Sequence, residues 1–265
     1  MKIGIYILSK SRAENCLTAN IFLSENIDFK IVIEPQDENK YRKRYNRSSL
    51  IVMPENNQGI AYARNFCKKY SINQEEDFHW QFDDNIKQFR KRENNKNIKT
   101  AAHYCISEIE KEVQKYHNIG IAGMCYSVFA FTKKNNIDIN KQIASACLFN
   151  NIPNIWWRDN TIEDTDYSMQ ILTQGLTNRA NGKNKEAWCT LLFNRILIDK
   201  LRTMTMKGGN TEIEYSTQEK QRIRLHGLQK QWPGIFKEKI NKHGIIRAAP
   251  SRIWQSFKQQ PISIK

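Results

Sequence analysis

The side chains best placed for chemistry are the run Asp83-Asp84-Asn85, which follows directly on the apolar stretch Phe78-His79-Trp80-Gln81-Phe82. That stretch reads as a buried strand, and three oxygen-bearing side chains at its carboxyl end gather hard ligands where open sheets bind ligands. Magnesium or manganese takes carboxylate oxygens together with substrate phosphates, and such an ion offsets the charge that builds on a departing diphosphate. On an extended chain Asp83 and Asn85 share a direction while Asp84 faces away. That division gives one acid to the metal and the other to a ribose or sugar. Alone, the same three residues are equally ordinary turn or helix-cap chemistry. A second acidic block, Thr161-Ile162-Glu163-Asp164-Thr165-Asp166-Tyr167, opens a helical pattern. Group transfer to a hydroxyl with inversion needs one general base opposite the leaving group, and a carboxylate near a helix N-terminus is expected to stay ionised at neutral pH. Thr161 to Asp164 also reads as a capping box.

The elements that must position these blocks are a set of alternating strands and helices. Apolar, β-branched runs recur at Ile3 to Leu8, Phe29 to Ile33, Leu50 to Met53, Phe78 to Phe82 and Ile119 to Met124. Helical patterns fall at Asn15 to Ser24, Ile60 to Lys69, Thr100 to Tyr116 and Asp164 to Gln174. Strands alternating with helices predict an α/β fold with a mostly parallel sheet and helices on both faces. From Tyr126 the pattern changes: Tyr126 to Phe131 and Ala144 to Phe149 read as paired strands, so a smaller mixed, antiparallel half is expected there. The polar stretches Asn94 to Lys99 and Asn181 to Lys185 read as loops. A basic helical region is expected over 217–265, giving a core at 1–216 that divides into halves at about 1–118 and 119–216.

The chain carries 265 residues, 40% of them hydrophobic, enough for a sizeable core, and a net charge of +15. No window approaches the roughly 18 to 20 apolar residues that cross a bilayer, and the short apolar start at Ile3 lacks a cleavage site. Six cysteines scattered without a CxxC pair read as buried reduced thiols of a cytoplasmic protein. The charge points to nucleic acid, an anionic membrane or phosphorylated small molecules. It concentrates between Thr217 and Lys265, where eleven Lys and Arg face two Glu and are interleaved with Trp232, Phe236, Trp254 and Phe257, a composition suited to phosphate contact with stacking on bases or to helices whose aromatics are core. Lys40 to Arg47 forms a second basic cluster. Trp156-Trp157-Arg158 could stack on a sugar or base or equally pack in the core, Lys207-Gly208-Gly209-Asn210 and Gly182-Lys183 read as loops able to close over a ligand or as plain turns, and His226 and His243 are metal candidates or ordinary surface or packed residues.

In several places and in order, this sequence resembles the GT-A glycosyltransferases. Ser9-Lys10-Ser11-Arg12 after the first strand is similar to their nucleotide-binding loop, and Glu34 after the second strand sits where an acid meets the nucleoside. Asn57-Gln58-Gly59-Ile60-Ala61-Tyr62-Ala63-Arg64-Asn65 resembles their NxGxxxARN stretch, and Glu163-Asp164 their ED motif. The resemblance implies donor binding by Ser9, Arg12, Glu34, Asn57, Gly59, Arg64, Asp83 and Asp84, and a metal held by Asp84, Asn85 and Asp83, with Asn85 departing from the usual DxD pattern. Asp164 aligns with the family's base, Asp166 is the second choice, and Glu163 and Trp157 are the acceptor-side candidates. Trp80 to Ile86, Ala122 to Met124 and Trp156 to Gln170 look like bacteriophage enzymes that glycosylate modified DNA bases, such as the TET-associated glycosyltransferases. That narrower likeness implies UDP-glucose as donor, a divalent metal, Mn2+ or Mg2+, and double-stranded DNA carrying hydroxymethylcytosine or its glucosylated form as acceptor, with no membrane partner. The alternatives are a GT-A enzyme acting on protein, glycan or lipid, and a non-catalytic nucleic-acid-binding module on this fold.

Overall fold

The structure is a computed structural model that describes residues 1–174, 187–201, 205–209, 215–241, 244–249 and 252–264. Its centre is a parallel array. β1 (Ile3–Leu8) is flanked by β2 (Lys30–Ile33), with β3 (Leu50–Val52) beyond. On its other side lies β4 (Phe78–Asp83), in register from Ile3↔Phe78 to Leu8↔Asp83. β1, β2 and β3 are almost wholly apolar because both of their faces are covered, while β4 carries the buried His79 and Gln81 on one face. Ile7, Ile31, Trp80 and Phe82 pack against Ala19 and Phe22 of α1 (Leu17–Ser24), Tyr41 of α2 (Glu38–Arg42), and Cys105 and Ile109 of a helix at Ala102–Val113. Tyr6, Leu8 and Val32 pack on the opposite face against Ala63 and Cys67 of α3 (Gly59–Asn73).

After β4 the chain turns at Asp84-Asn85 into the hairpin β5 (Ile86–Glu93) and β6 (Lys96–Lys99). Asn94 and Asn95 adopt φ of 46° and 61°, the left-handed pair of a two-residue hairpin turn. The loop expected at Asn94 to Lys99 is therefore mostly strand, Asn94 and Asn95 alone forming the turn. The Ala102–Val113 helix is α4; it leads to β7 (Ile119–Tyr126), the short helix α5 (Ser127–Ala130), β8 (Ile137–Ile139) and β9 (Ala146–Asn150). The expected strand at Tyr126 to Phe131 is thus α5, and β9 pairs antiparallel with β7 instead, Ile121 opposite Phe149. Val128, Phe129 and Phe131 are exposed, so their apolar run has no second face to cover. Then come α6 (Glu163–Gln174) and the long β10 (Cys189–Lys200). The sheet order is β3-β2-β1-β4-β9-β7-β10-β5-β6 with β8 on β10, so the mixed half continues from the parallel half through the β4–β9 pair. α6 covers this half through Tyr167 and Ile171 against Ile121, Cys147 and Phe149.

The C-terminal region supplies α7 (Gln218–Gln231), a small separate sheet of β11 (Glu238–Ile240) and β12 (Ile246–Ala248), and a 3-10 turn at Arg252–Gln255. Its aromatics are largely core: Phe236 and Phe257 are buried with Leu228 against Met169 and Leu172 of α6. Among the described residues no helix is long and apolar enough to cross a membrane. All six cysteines are buried and free, as expected.

Candidate functional site

The strand order reverses at β1, whose chain successors lie on one side and β4 on the other, and at such a switch point a crevice opens beyond the carboxyl ends. The register that pairs Leu8 with Asp83 sets Ser9 beside Asp84. Ser9 Oγ donates to Asp84 Oδ2 at 2.7 Å and Arg12 Nη1 to Asp84 Oδ1 at 2.6 Å. Burial pushes the Asp84 carboxyl up, opposed by the Arg12 guanidinium and the Ser9 hydroxyl. Arg12 also donates to the carbonyls of Lys207 and Gly208, and the Gly209 N–H donates to Lys10 O at 2.8 Å. Gly208 and Gly209 have φ of +76° and +69°, and a Cβ on Gly209 would lie 2.6 Å from the Arg12 guanidinium. The glycine pair of the expected closing loop is packed on the Ser9 to Arg12 loop; Asn210 and Gly182-Lys183 lie outside the described residues.

A cavity of about 1010 Å3 runs from this crevice toward α6 and the β11–β12 hairpin, lined by Ser9, Arg12, Glu34, Gly59, Arg64, Asp83, Asp84, Asn85, Glu163 and Asp164 among others. Gly59 enters α3 with φ of 86°, a conformation other residues rarely adopt. One turn on, Arg64 is buried and ties the two acidic blocks together: Nη2 lies 3.2 Å from Asp164 and 3.7 Å from Asp83, and Nη1 donates to Gln81 Oε1 at 3.1 Å. Lys200, at the end of β10, pairs with Asp83 Oδ2 and donates to Ser145 Oγ at 2.9 Å. Burial works against the charge on Asp83, but Lys200 and Arg64 hold its carboxyl below the usual range. Asp164 behaves differently. Burial, aided by the neighbouring Glu163 and Asp83 carboxylates, pushes it up to about 7 against the pull of Arg64. The helix terminus therefore does not keep it fully ionised at neutrality, because desolvation outweighs the terminus. Nor does a capping box form: α6 begins at Glu163, and Thr161 Oγ1 donates back to Arg158 O at 2.9 Å.

At the strand end one side-chain oxygen is left over. Asn85 is buried and its Oδ1 has no hydrogen-bond partner, while its amide faces Leu201 O, next to the Lys200 that meets Asp83. An unsatisfied buried amide oxygen is a ligand that Mg2+ or Mn2+ can take together with phosphate oxygens, while the Asp83 carboxylate is already met by Lys200 and Arg64. Both oxygens of Asp84 are already engaged, by Ser9 and Arg12. Among the described residues no group of three or more His, Cys, Asp or Glu converges on one point.

The remaining expectations separate. Glu34 is buried in the cavity wall, held by Lys10 at 2.8 Å and Gln36 at 2.6 Å; Asn57 is exposed beside it and accepts from Lys10 at 2.6 Å. Glu163 pairs with Arg224 of α7. Asp166 is fully buried away from the cavity lining, bound by Arg158 Nε at 2.8 Å, Trp232 Nε1 at 2.8 Å and Gln170 Nε2 at 2.9 Å, so it fastens α6 to α7 and its carboxylate has no free oxygen to meet an acceptor. Trp157 is corrected likewise: its ring stacks on Tyr167 at 4.0 Å and meets Phe149 edge-on at 4.9 Å, which places it in the core. His226 is exposed on α7 and His243 lies outside the described residues. Lys40 to Arg47 is a solvated face, with Arg42 and Arg44 paired to Glu38 and Glu14. Sequence reasoning missed Lys200, Ser145 and Tyr126, whose hydroxyl lies 2.6 Å from Ser145 Oγ; for Lys200 the signal was the run Leu191 to Ile198, apolar but for Asn194 and Arg195, whose end a strand would deliver to this point.

Curated proteins yield no match to the chain. Among solved structures it is similar to A197 from STIV, at 9% identity and TM-score 0.39 over 76% of this chain and 86% of that one. A CMP-2-keto-3-deoxy-manno-octonic acid synthetase complexed with CTP gives 8% and 0.40 over 73% and 89%. The 4-diphosphocytidyl-2C-methyl-D-erythritol synthase of Anaerococcus prevotii gives 8% and 0.39 over 77% and 93%. None of these likenesses bears on substrate. The family model described as TET-associated glycosyltransferase matches residues 3–209, a span that holds Ser9, Arg64, Asp83, Asp84, Asp164 and Lys200, and the chain belongs to that family of glycosyltransferases.

Proposed function

We propose that the enzyme moves a hexosyl group, glucose from UDP-glucose, to a hydroxyl on a modified base of double-stranded DNA, hydroxymethylcytosine or its glucosylated form. The observation that carries this reading is the Asp83-Arg64-Asp164 bridge inside one cavity, which sets a carboxyl that titrates near neutrality beside the strand-end acids. A base with that affinity for protons is suited to working near neutral pH. Family membership supports a modified DNA base as acceptor, and the charge of +15 supports a polyanionic one. Residues 1–118 serve the donor and 119–216 the acceptor in this scheme, with 217–265 packed on both, and action on DNA implies the cytoplasm.

In the proposed reaction Glu34, Lys10 and Asn57 hold the nucleoside side, and Ser9, Arg12 and Gly209 bracket the diphosphate side. Asp164 takes the proton of the acceptor hydroxyl as its oxygen bonds to the anomeric carbon; the bond from that carbon to the diphosphate oxygen breaks, and the electron pair leaves with the diphosphate. Lys200 and Arg64 stand as fixed cations facing the charge that appears there. Asp83 and Asn85, with Asp84 braced behind them, would hold a divalent ion that adds further neutralisation of the diphosphate when bound. A base inside a duplex must leave the stack to reach such a cavity. The test is a screen of nucleotide-sugars, with Mn2+ or with a chelator, against hydroxymethylated duplex, protein, glycan and lipid acceptors. Metal-supported transfer to the duplex is expected; transfer confined to another acceptor class would overturn the DNA reading, and full activity in chelator would remove the metal.

A further inference from the structure

The β11–β12 hairpin lies beyond the residues the family model matches, yet Lys239 and Arg247 line the same cavity as Asp83 and Asp164. The register sets Lys239 opposite Arg247, so two cations stand side by side on one face of an antiparallel ribbon, a pairing that is unfavourable unless an anion lies between them. Both are exposed, as is Lys237 just before β11. Among the described residues neither Lys239 nor Arg247 meets a carboxylate, since the hairpin's own acid, Glu238, is engaged by Arg222 of α7.

The ribbon is held firmly relative to the catalytic helix. Ile246 is buried and its N–H donates to Gln221 Oε1 of α7 at 2.8 Å, while the Ala249 N–H donates to Lys237 O at 2.7 Å. In turn α7 is fastened to the start of α6: Arg224 pairs with Glu163, and its Nε donates to Thr161 O at 3.1 Å. A Cβ on Gly227 would lie 1.9 Å from Asn160 O, so the two backbones touch and only glycine fits between them. Two unpaired cations are thereby set at a fixed place beside the mouth of a cavity whose interior carries the carboxylates.

We propose that the β11–β12 hairpin is a DNA-binding ribbon in which Lys239 and Arg247 hold phosphates of the acceptor duplex and present the modified base to Asp164, an assignment that rests on the DNA acceptor proposed above. The test measures binding of a fluorescent duplex to the full chain across a salt series, with Lys239→Gln/Arg247→Gln and the conservative Lys239→Arg/Arg247→Lys beside the wild type. Losing two phosphate contacts makes the slope of log affinity against log salt shallower by about 1.8, at roughly 0.9 per contact. The neutral pair is expected to show that change and a raised KM for duplex with unchanged UDP binding, while the conservative pair keeps the wild-type slope. A slope that both double variants share with the wild type would overturn the proposal, and so would failure of the wild type to bind duplex. Sugar transfer by the wild type is scored separately, so a wrong acceptor reading shows as duplex binding without transfer to any modified base.

Discussion

Lowering the pH perturbs one group above all, the Asp164 carboxyl, because burial beside Glu163 and Asp83 has pushed it up to about 7 from an ordinary 3.8. Holding it ionised in that place costs on the order of 4 kcal/mol relative to water, at about 1.4 kcal/mol for each tenfold. Only the ionised form accepts a proton, so the single-turnover transfer rate at saturating donor and acceptor should be flat above pH 8 and fall below pH 7. Once the carboxyl is mostly protonated the fall is about tenfold per pH unit. Asp164→Asn should lose roughly 10² to 10⁴ in that rate and the pH limb with it, while UDP affinity holds. A stability signature accompanies it. The raised pKa means the native state binds more protons than the unfolded chain between about 3.8 and 7, so Asp164 subtracts stability as pH rises through that window. The variant should therefore melt no lower than the wild type at pH 8. A rate profile flat from pH 5 to 8 in the wild type, or transfer by Asp164→Asn within threefold of wild type, would refute the assignment of the base.

Other consequences follow from the same geometry. Asp166→Asn removes the charge that meets the half-buried Arg158, so it should cost on the order of 1 to 3 kcal/mol of stability, seen as a lower Tm, with kcat within a few-fold of wild type. Lys200→Met removes the cation that holds Asp83 ionised, so the Asp83 carboxyl should rise and kcat fall by roughly 10² or more, with little change in duplex affinity. Gly209→Ala forces a side chain into the Arg12 guanidinium at a φ of +69°, and calorimetry should show weaker UDP binding; unchanged affinity would separate that loop from the donor.

Much of the fold was legible because buried parallel strands announce themselves. Ile3 to Leu8 is apolar on both faces and Phe78 to Phe82 on one, with His79 and Gln81 buried on the other, and their alignment alone brings Ser9 to Asp84. β5 was not legible: of Ile86-Lys87-Gln88-Phe89-Arg90-Lys91-Arg92-Glu93 only Ile86 and Phe89 are buried, and charges mask the strand in composition. Its hairpin signal was Asn94-Asn95, which composition alone reads as a loop. Lys200 was hidden for a related reason, since its role depends on where β10 ends. Asp164 and Asp166 sit in the same first turn, and only the likeness of Glu163-Asp164 to the ED motif ranks them in the sequence. Arg64 on one side, and Arg158 with Trp232 on the other, separate them, and of these partners Arg64 and Trp232 arrive from distant parts of the chain. Trp157 shows the same limit, because an aromatic suited to stacking on a sugar is equally suited to stacking on Tyr167.

The measurement that bears most directly on the central claim is mass analysis of the nucleosides released from a hydroxymethylcytosine-containing duplex after incubation with UDP-glucose, a divalent metal and either the wild type or Asp164→Asn. The arrangement of Asp83, Arg64 and Asp164 predicts a hexosylated nucleoside with the wild type and only a trace of it with the variant. Equal product from both enzymes, or none from the wild type while the hexose accumulates on a different acceptor, would contradict it.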